Sequence, residues 1–259
     1  MIIMEIIYAG KIVGFVLSIG FFAALVYGSN YLRNREIRPI PGLLAIDEAI
    51  GRAVEMGRPV HFCPGGGQLI DYTAPQTIAA ISLIGYVAGQ CAQRGADYIV
   101  TINVAHTLPA IEEIIRINYT KHGKAEEYSS DIVRFLPDQV SLFAYDMDMF
   151  EREKIAANIM IGAYFWEAIV LAEFGGSVGA LQIGGTARQS QLPAFVASCD
   201  YLIIGDEMYA SAAKISDNPA QIGSIAGQDI CRAIVVAIMV IGFISALLGS
   251  NAIASFLKI

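Results

Sequence analysis

Ile46-Asp47-Glu48-Ala49-Ile50-Gly51-Arg52-Ala53-Val54-Glu55-Met56-Gly57-Arg58-Pro59-Val60-His61-Phe62-Cys63 joins a helix to a strand within 18 residues. Ile46, Ala49, Ile50, Ala53 and Val54 recur at the spacing of one buried helical face, Gly57 supplies a left-handed stop, and Pro59 to Cys63 is a short extended run. The alternation continues downstream, with candidate strands at Asp97 to Asn103, Val140 to Tyr145, Val178 to Ile183 and Tyr201 to Ile204. Strands separated by single helices pair in parallel through right-handed crossovers. The expected fold is therefore α/β: a three-layer, Rossmann-like domain with a mainly parallel five-stranded sheet.

The intervening helices carry their own start signals. Thr73 followed by Gln76 has the form of a capping box, with Pro75 in the first turn. Pro109 suits the first turn of a second helix, and Asp148, Glu151 and Glu153 suit the amino end of a third. Tyr72 to Gln93 and Ile155 to Ala172 are apolar but diluted by amides, glycines and Glu167, so both read as core helices rather than further spans.

Beyond this middle the composition changes. The chain has 259 residues, 55% of them hydrophobic and 16% charged, with a mean hydropathy of +0.55. That is too apolar for an ordinary soluble domain of this size and excludes disordered, collagen-like and disulfide-scaffold classes. The excess lies at the ends, where Ile12 to Leu32 gives 21 uncharged residues and Ala233 to Leu257 gives 25. Either length covers a hydrocarbon core as a helix. The expected organisation is an N-terminal transmembrane helix (1–32), a basic juxtamembrane segment (33–38), an α/β domain (39–228) and a C-terminal transmembrane helix (229–259). Arg33, Arg35 and Arg38 follow the first span while only Lys11 precedes it. The positive-inside bias then predicts a two-pass cell-membrane protein with both termini outside and the domain cytoplasmic. A cleaved signal peptide fits less well, because the basic residues lie on the wrong side of the apolar run.

Residues 39–228 hold 21 acids against 11 bases, a balance of −10, which repels nucleic acid. Cys63, Cys91, Cys199 and Cys231 stand singly, without the spacing of a zinc site or a redox dithiol. No cofactor is expected.

In parallel sheets, ligands collect beyond the carboxyl ends of the strands. Two glycine-rich stretches fall there as candidate ligand-binding residues: Gly65, Gly66 and Gly67, and Gly184, Gly185 and Thr186 with Arg188. Neither is a P-loop or a GxGxxG fingerprint, and turn geometry is the competing explanation for both. Asp146, Asp148 and Asp206 are candidate metal ligands through carboxylate oxygens, against the alternative that Asp148 and Asp206 cap helices. His61 and Cys63 share one face of a strand, either as a histidine–thiolate pair or as part of the core. In the spans, Gly10, Gly14 and Ser18, and Gly242, Ala246 and Ser250, form stripes of small residues suited to close helix contact, and are candidate oligomerisation residues.

The stretches Ile46 to Ala53, Gly57 to Phe62, Gln182 to Ala187, Cys199-Asp200-Tyr201 and Ile204 to Glu207 resemble an uncharacterised family of prokaryotic membrane-anchored proteins. That family is classed as a domain of unknown function with two terminal transmembrane helices around one α/β domain. The resemblance implies this architecture and no activity, catalytic residue or cofactor.

Three functions follow as expectations. The favoured one is a membrane-anchored, homo-oligomeric assembly or scaffold protein whose biochemical activity the sequence leaves open, an enzyme being the less favoured expectation, with the bilayer and copies of itself as partners. The alternatives are a membrane-tethered domain that binds or senses a small anionic metabolite or nucleotide, and a metal-assisted hydrolase or transferase.

Overall fold

The computed structural model describes residues 2–32, 37–216 and 218–247, with side chains from Gly14 onward. In chain order the helices and strands are α1 (Ile2–Tyr31), α2 (Pro41–Met56), β1 (Val60–Gly65), α3 (Ala74–Arg94), β2 (Tyr98–Ile102), α4 (Leu108–Lys121), β3 (Val133–Phe135), α5 (Gln139–Glu153), β4 (Ala157–Ala163), α6 (Glu167–Ser177), β5 (Leu181–Thr186), α7 (Leu192–Ser198), β6 (Tyr201–Ile204), α8 (Asp206–Ile215) and α9 (Pro219–Leu247). They form two compact units, one from the chain ends and one from residues 38–216. Residues 218–228 thus go with the terminal unit, not with the middle domain.

In the terminal unit α1 and α9 pack on each other. The contact is a backbone crossing: a Cβ on Gly28 would lie 2.5 Å from the Gly227 nitrogen, and one on Gly223 would lie 2.4 Å from the Gly28 carbonyl oxygen. Further along, the Cys231 thiol reaches the Phe21 carbonyl oxygen at 3.7 Å. Positions falling on α1 meet positions rising on α9, so the helices run antiparallel. Gly14–Tyr31 and Pro219–Leu247 are both long and apolar enough to cross a membrane.

The middle unit is an α/β fold with six parallel strands in the order β3-β2-β1-β4-β5-β6. α3 packs with α2, α4 and α8, and α6 with α5 and α7, which gives a helical layer on each face. Local signals explain the start: Pro41 opens α2 and Gly57, at φ 61°, ends it by donating to Ala53 and Val54 carbonyls. The core joins Cys63, Leu142, Phe143, Met160, Tyr164, Leu171 and Phe195.

Several expectations are corrected. The sheet has six strands, not five. Val140 to Tyr145 is helical, because Asp138 accepts hydrogen bonds from the Val140 and Ser141 N–H groups and nucleates α5. The acids Asp148, Glu151 and Glu153 therefore fall in the second half of that helix. The helix expected from Ile155 to Ala172 is instead β4, fully buried, followed by α6. A strand buried on both faces loses the alternation that would mark it. The short β3 carries too few residues to show a period. The capping box at Thr73 is not formed, since its side chain makes no cap bond to α3.

Candidate functional site

The strand order reverses direction between β1 and β4. After β1 the chain passes to α3 in one helical layer, and after β4 to α6 in the other, which makes this the topological switch point, where parallel sheets leave a crevice outside the carboxyl edge. Glycines close the seam beneath it. Gly65 adopts φ 72°, the Gly66 N–H donates to the Ala163 carbonyl at 3.1 Å, and a Cβ on Gly162 would lie 1.9 Å from the Pro64 carbonyl oxygen. A Cβ on Gly67 would meet Thr77 Oγ1 at 2.4 Å. The glycine triplet thus joins β1 to β4 and seats α3; the Gly66 donor is consumed by the fold instead of facing a ligand.

From Gln68 to Thr73 the loop is tied by side chains. Gln68 N–H donates to Thr73 Oγ1 and Thr73 N–H to Asp71 Oδ1, both at 2.8 Å. These Thr73 bonds hold the Asp71 carboxyl below its ordinary range. Leu69 N–H donates to His106 Nε2 at 3.0 Å, linking this loop to the segment after β2.

On the other side of the crevice stands Arg188, after β5. Its guanidinium lies 4.0 Å from the centroid of Phe165 and 5.8 Å from that of Tyr72, an arrangement that holds a cation without consuming its donors. Glu167, the first residue of α6, is 2% exposed. Burial raises its carboxyl pKa, while its own N–H, that of Phe165, the Gln139 amide and, last, the Arg188 charge oppose the rise. Around these groups Ile70, Tyr72 and Trp166 are 82%, 73% and 59% exposed.

Among the described residues, seven buried side-chain oxygen and nitrogen atoms make no hydrogen bond of ordinary geometry within the protein. Five of them belong to Gln76, Asn103, Glu167 and Arg188, which come from four segments at this same edge. An unpaired buried polar atom costs about 1–3 kcal/mol, and most of those described lie at this edge.

The second glycine stretch has a different role from the one expected. Gly184, Gly185 and Thr186 lie within β5. A Cβ on Gly184 would meet Phe195 Cδ1 at 2.3 Å and Cys199 Sγ at 2.7 Å, so the residue is small because α7 packs there. Thr186 Oγ1 accepts the Arg188 N–H at 3.2 Å. Of that set, Arg188 faces the crevice.

The three aspartates are not brought together. Asp146 is buried within α5, Asp148 on the same helix pairs with Arg152 at 3.1 Å, and Asp206 opens α8. Among the described residues no group of three or more His, Cys, Asp and Glu side chains could hold a metal ion. Asp146 instead ends a buried chain across four strands. His61 Nδ1 lies 2.8 Å from Asn158 Oδ1 and its Nε2 lies 2.8 Å from Thr101 Oγ1, which is 3.2 Å from Asp146 Oδ2. Asn158 Nδ2 donates to Gln182 Oε1 at 2.8 Å. Burial moves the His61 pKa down to about 4 and that of Asp146 up to about 8. The Cys63 thiol, also buried, is pushed up to about 12 and stays protonated, so the histidine–thiolate pair does not form.

Gly10 and Gly14 lie on α1 and Gly242 and Ala246 on α9; Ser250 lies outside the described residues. A Cβ on Gly14 would meet nothing within 4 Å, and the Ser18 hydroxyl donates to the Gly14 carbonyl at 2.8 Å. The helix crossing therefore uses Gly28, Gly223 and Gly227, residues that the sequence reading passed over.

A family profile matches residues 4–257, nearly the whole chain. The chain belongs to DUF6754, a domain of unknown function. Membership covers both terminal helices as well as the α/β domain, as the resemblance implied. Comparison with curated proteins and with solved structures finds no match.

Proposed function

We propose that this DUF6754 chain is a membrane-tethered binding module whose crevice between β1 and β4 takes a small anionic ligand. The observation that carries this reading is Arg188. Its guanidinium rests on Phe165, and its Nη1 is buried without a partner, as a donor awaiting an oxyanion would be. α1 and α9 hold the module to the bilayer. Their antiparallel crossing keeps both chain ends on one side, and Arg33, Arg35 and Arg38 favour the cytoplasm for the domain. The metal-assisted reading has less support, because Asp146 and Asp148 are engaged within the protein.

Thermal melting of the full-length protein in detergent tests the proposal. Inorganic phosphate or ribose 5-phosphate is expected to raise the midpoint in the wild type and not in Arg188→Ala. No rise with either anion would overturn it.

A second reading, the homo-oligomeric scaffold, draws on Gly14. The α1–α9 crossing leaves this position open, which suits contact with another protomer in lipid. Gly14→Leu should then lower the mass of the detergent-solubilised particle; a monomeric wild type removes this reading.

A further inference from the structure

The unpaired groups of the crevice are unequal in kind, and the imbalance bears on ligand class. Four are acceptors, Gln76 Oε1, Asn103 Oδ1 and both Glu167 oxygens, and one is a donor, Arg188 Nη1. An amide can turn over to present N–H instead, whereas a carboxylate accepts only, unless protonated. The N–H groups that draw the Glu167 carboxyl pKa down are its own, that of Phe165 and the Gln139 amide, yet neither Glu167 oxygen has a hydrogen bond of ordinary geometry.

We infer that the ligand has two poles: an oxyanion that binds Arg188, and several hydroxyl groups that donate to Glu167 and to the amides of Gln76 and Asn103. This rests on the ligand-binding reading above and specifies its chemistry. The acceptors come from three separate segments, at α3, after β2 and at α6. One ammonium group presents all its donors from a single point; hydroxyls spaced along a sugar or polyol reach several acceptors. A bare anion would fill the Arg188 end and leave the Glu167 oxygens with no hydrogen bond of ordinary geometry, at the cost that attends a buried, unsatisfied polar group. Tyr72 and Trp166, largely exposed at the rim, offer apolar faces for the carbon skeleton.

The test compares ribose 5-phosphate, inorganic phosphate, phosphoethanolamine and ribose on the full-length protein in detergent at constant ionic strength. Ribose 5-phosphate should bind at least tenfold tighter than either other phosphate, and Glu167→Gln should remove most of that advantage. The wild-type comparison stands even if the variant fails to fold. Equal affinity for ribose 5-phosphate and inorganic phosphate overturns the two-pole ligand and leaves the anion crevice in place. Preference for phosphoethanolamine overturns the hydroxyl pole in favour of an ammonium. Binding of none of the phosphates overturns both readings.

Discussion

His61 and Asp146 share the hydroxyl of Thr101, which lies 2.8 Å from Nε2 of the one and 3.2 Å from Oδ2 of the other. The polarity of the chain is fixed at its far end. Gln182 Nε2 donates to the Ala180 carbonyl, which can only accept, so Gln182 Oε1 faces Asn158 Nδ2 and Asn158 Oδ1 faces His61. Nδ1 of His61 therefore carries a proton. In the neutral ring Nε2 accepts from Thr101, and Thr101 in turn accepts from a protonated Asp146, as the opposed pKa shifts of the two groups require.

A specific pH profile follows. Unfolded, His61 titrates near its ordinary 6.5 and Asp146 near 3.8; folded, they titrate near 4 and 8. Between about pH 4 and 6.5 each state of the chain holds one proton on the pair, so the pair adds no slope. From 6.5 to 8 the native state keeps a proton that the unfolded state has lost, so stability falls as pH rises. Asp146→Asn should abolish that fall and introduce a rise from pH 4 to 6.5, where unfolded His61 alone binds a proton. Melting temperatures across pH 4–8 read both slopes.

Thr101→Val keeps the shape of the side chain and removes the shared hydroxyl. His61 Nε2 and Asp146 are then left buried without their partner, at a cost of about 2 kcal/mol. The melting midpoint should drop by about 4–8 °C, and an unchanged midpoint would mean that the chain of bonds adds nothing.

Glycine substitutions should divide by position. Gly184→Ala drives a methyl into Phe195 and Cys199 and should cost about 1–3 kcal/mol. Gly176→Ala, in α6 with open space around it, should be neutral or stabilise by up to about 1 kcal/mol. Chemical or thermal unfolding distinguishes the two.

Gly28→Leu should separate α1 from α9, since even a Cβ there meets the Gly227 backbone. A bifunctional thiol reagent bridging a cysteine introduced at Phe21 to Cys231 reports the contact. Crosslinking is expected in the Gly28 background and should be lost in Gly28→Leu.

Much of this architecture was legible from residues. Ile46 to Gly57 announced α2, and the two apolar ends announced α1 and α9. β4 was hidden because Ala157 to Ala163 is buried on both faces and shows no period, and α5 because its nucleating residue, Asp138, stands outside the apolar run read as a strand. At the site, Arg188 was found through its glycine neighbours, although those glycines serve packing. Glu167 was read only as a break in an apolar helix: its meaning depends on burial and on the reversal of strand order, neither of which a single sequence displays. The crossing glycines were likewise visible only once the segments were placed together.

The most direct test of the central claim is a calorimetric titration of ribose 5-phosphate into the full-length protein in detergent, wild type beside Arg188→Ala. Saturable heat in the wild type that vanishes in the variant is the predicted result. The same heat in both proteins, or none in the wild type, would contradict an anion-binding crevice built on Arg188.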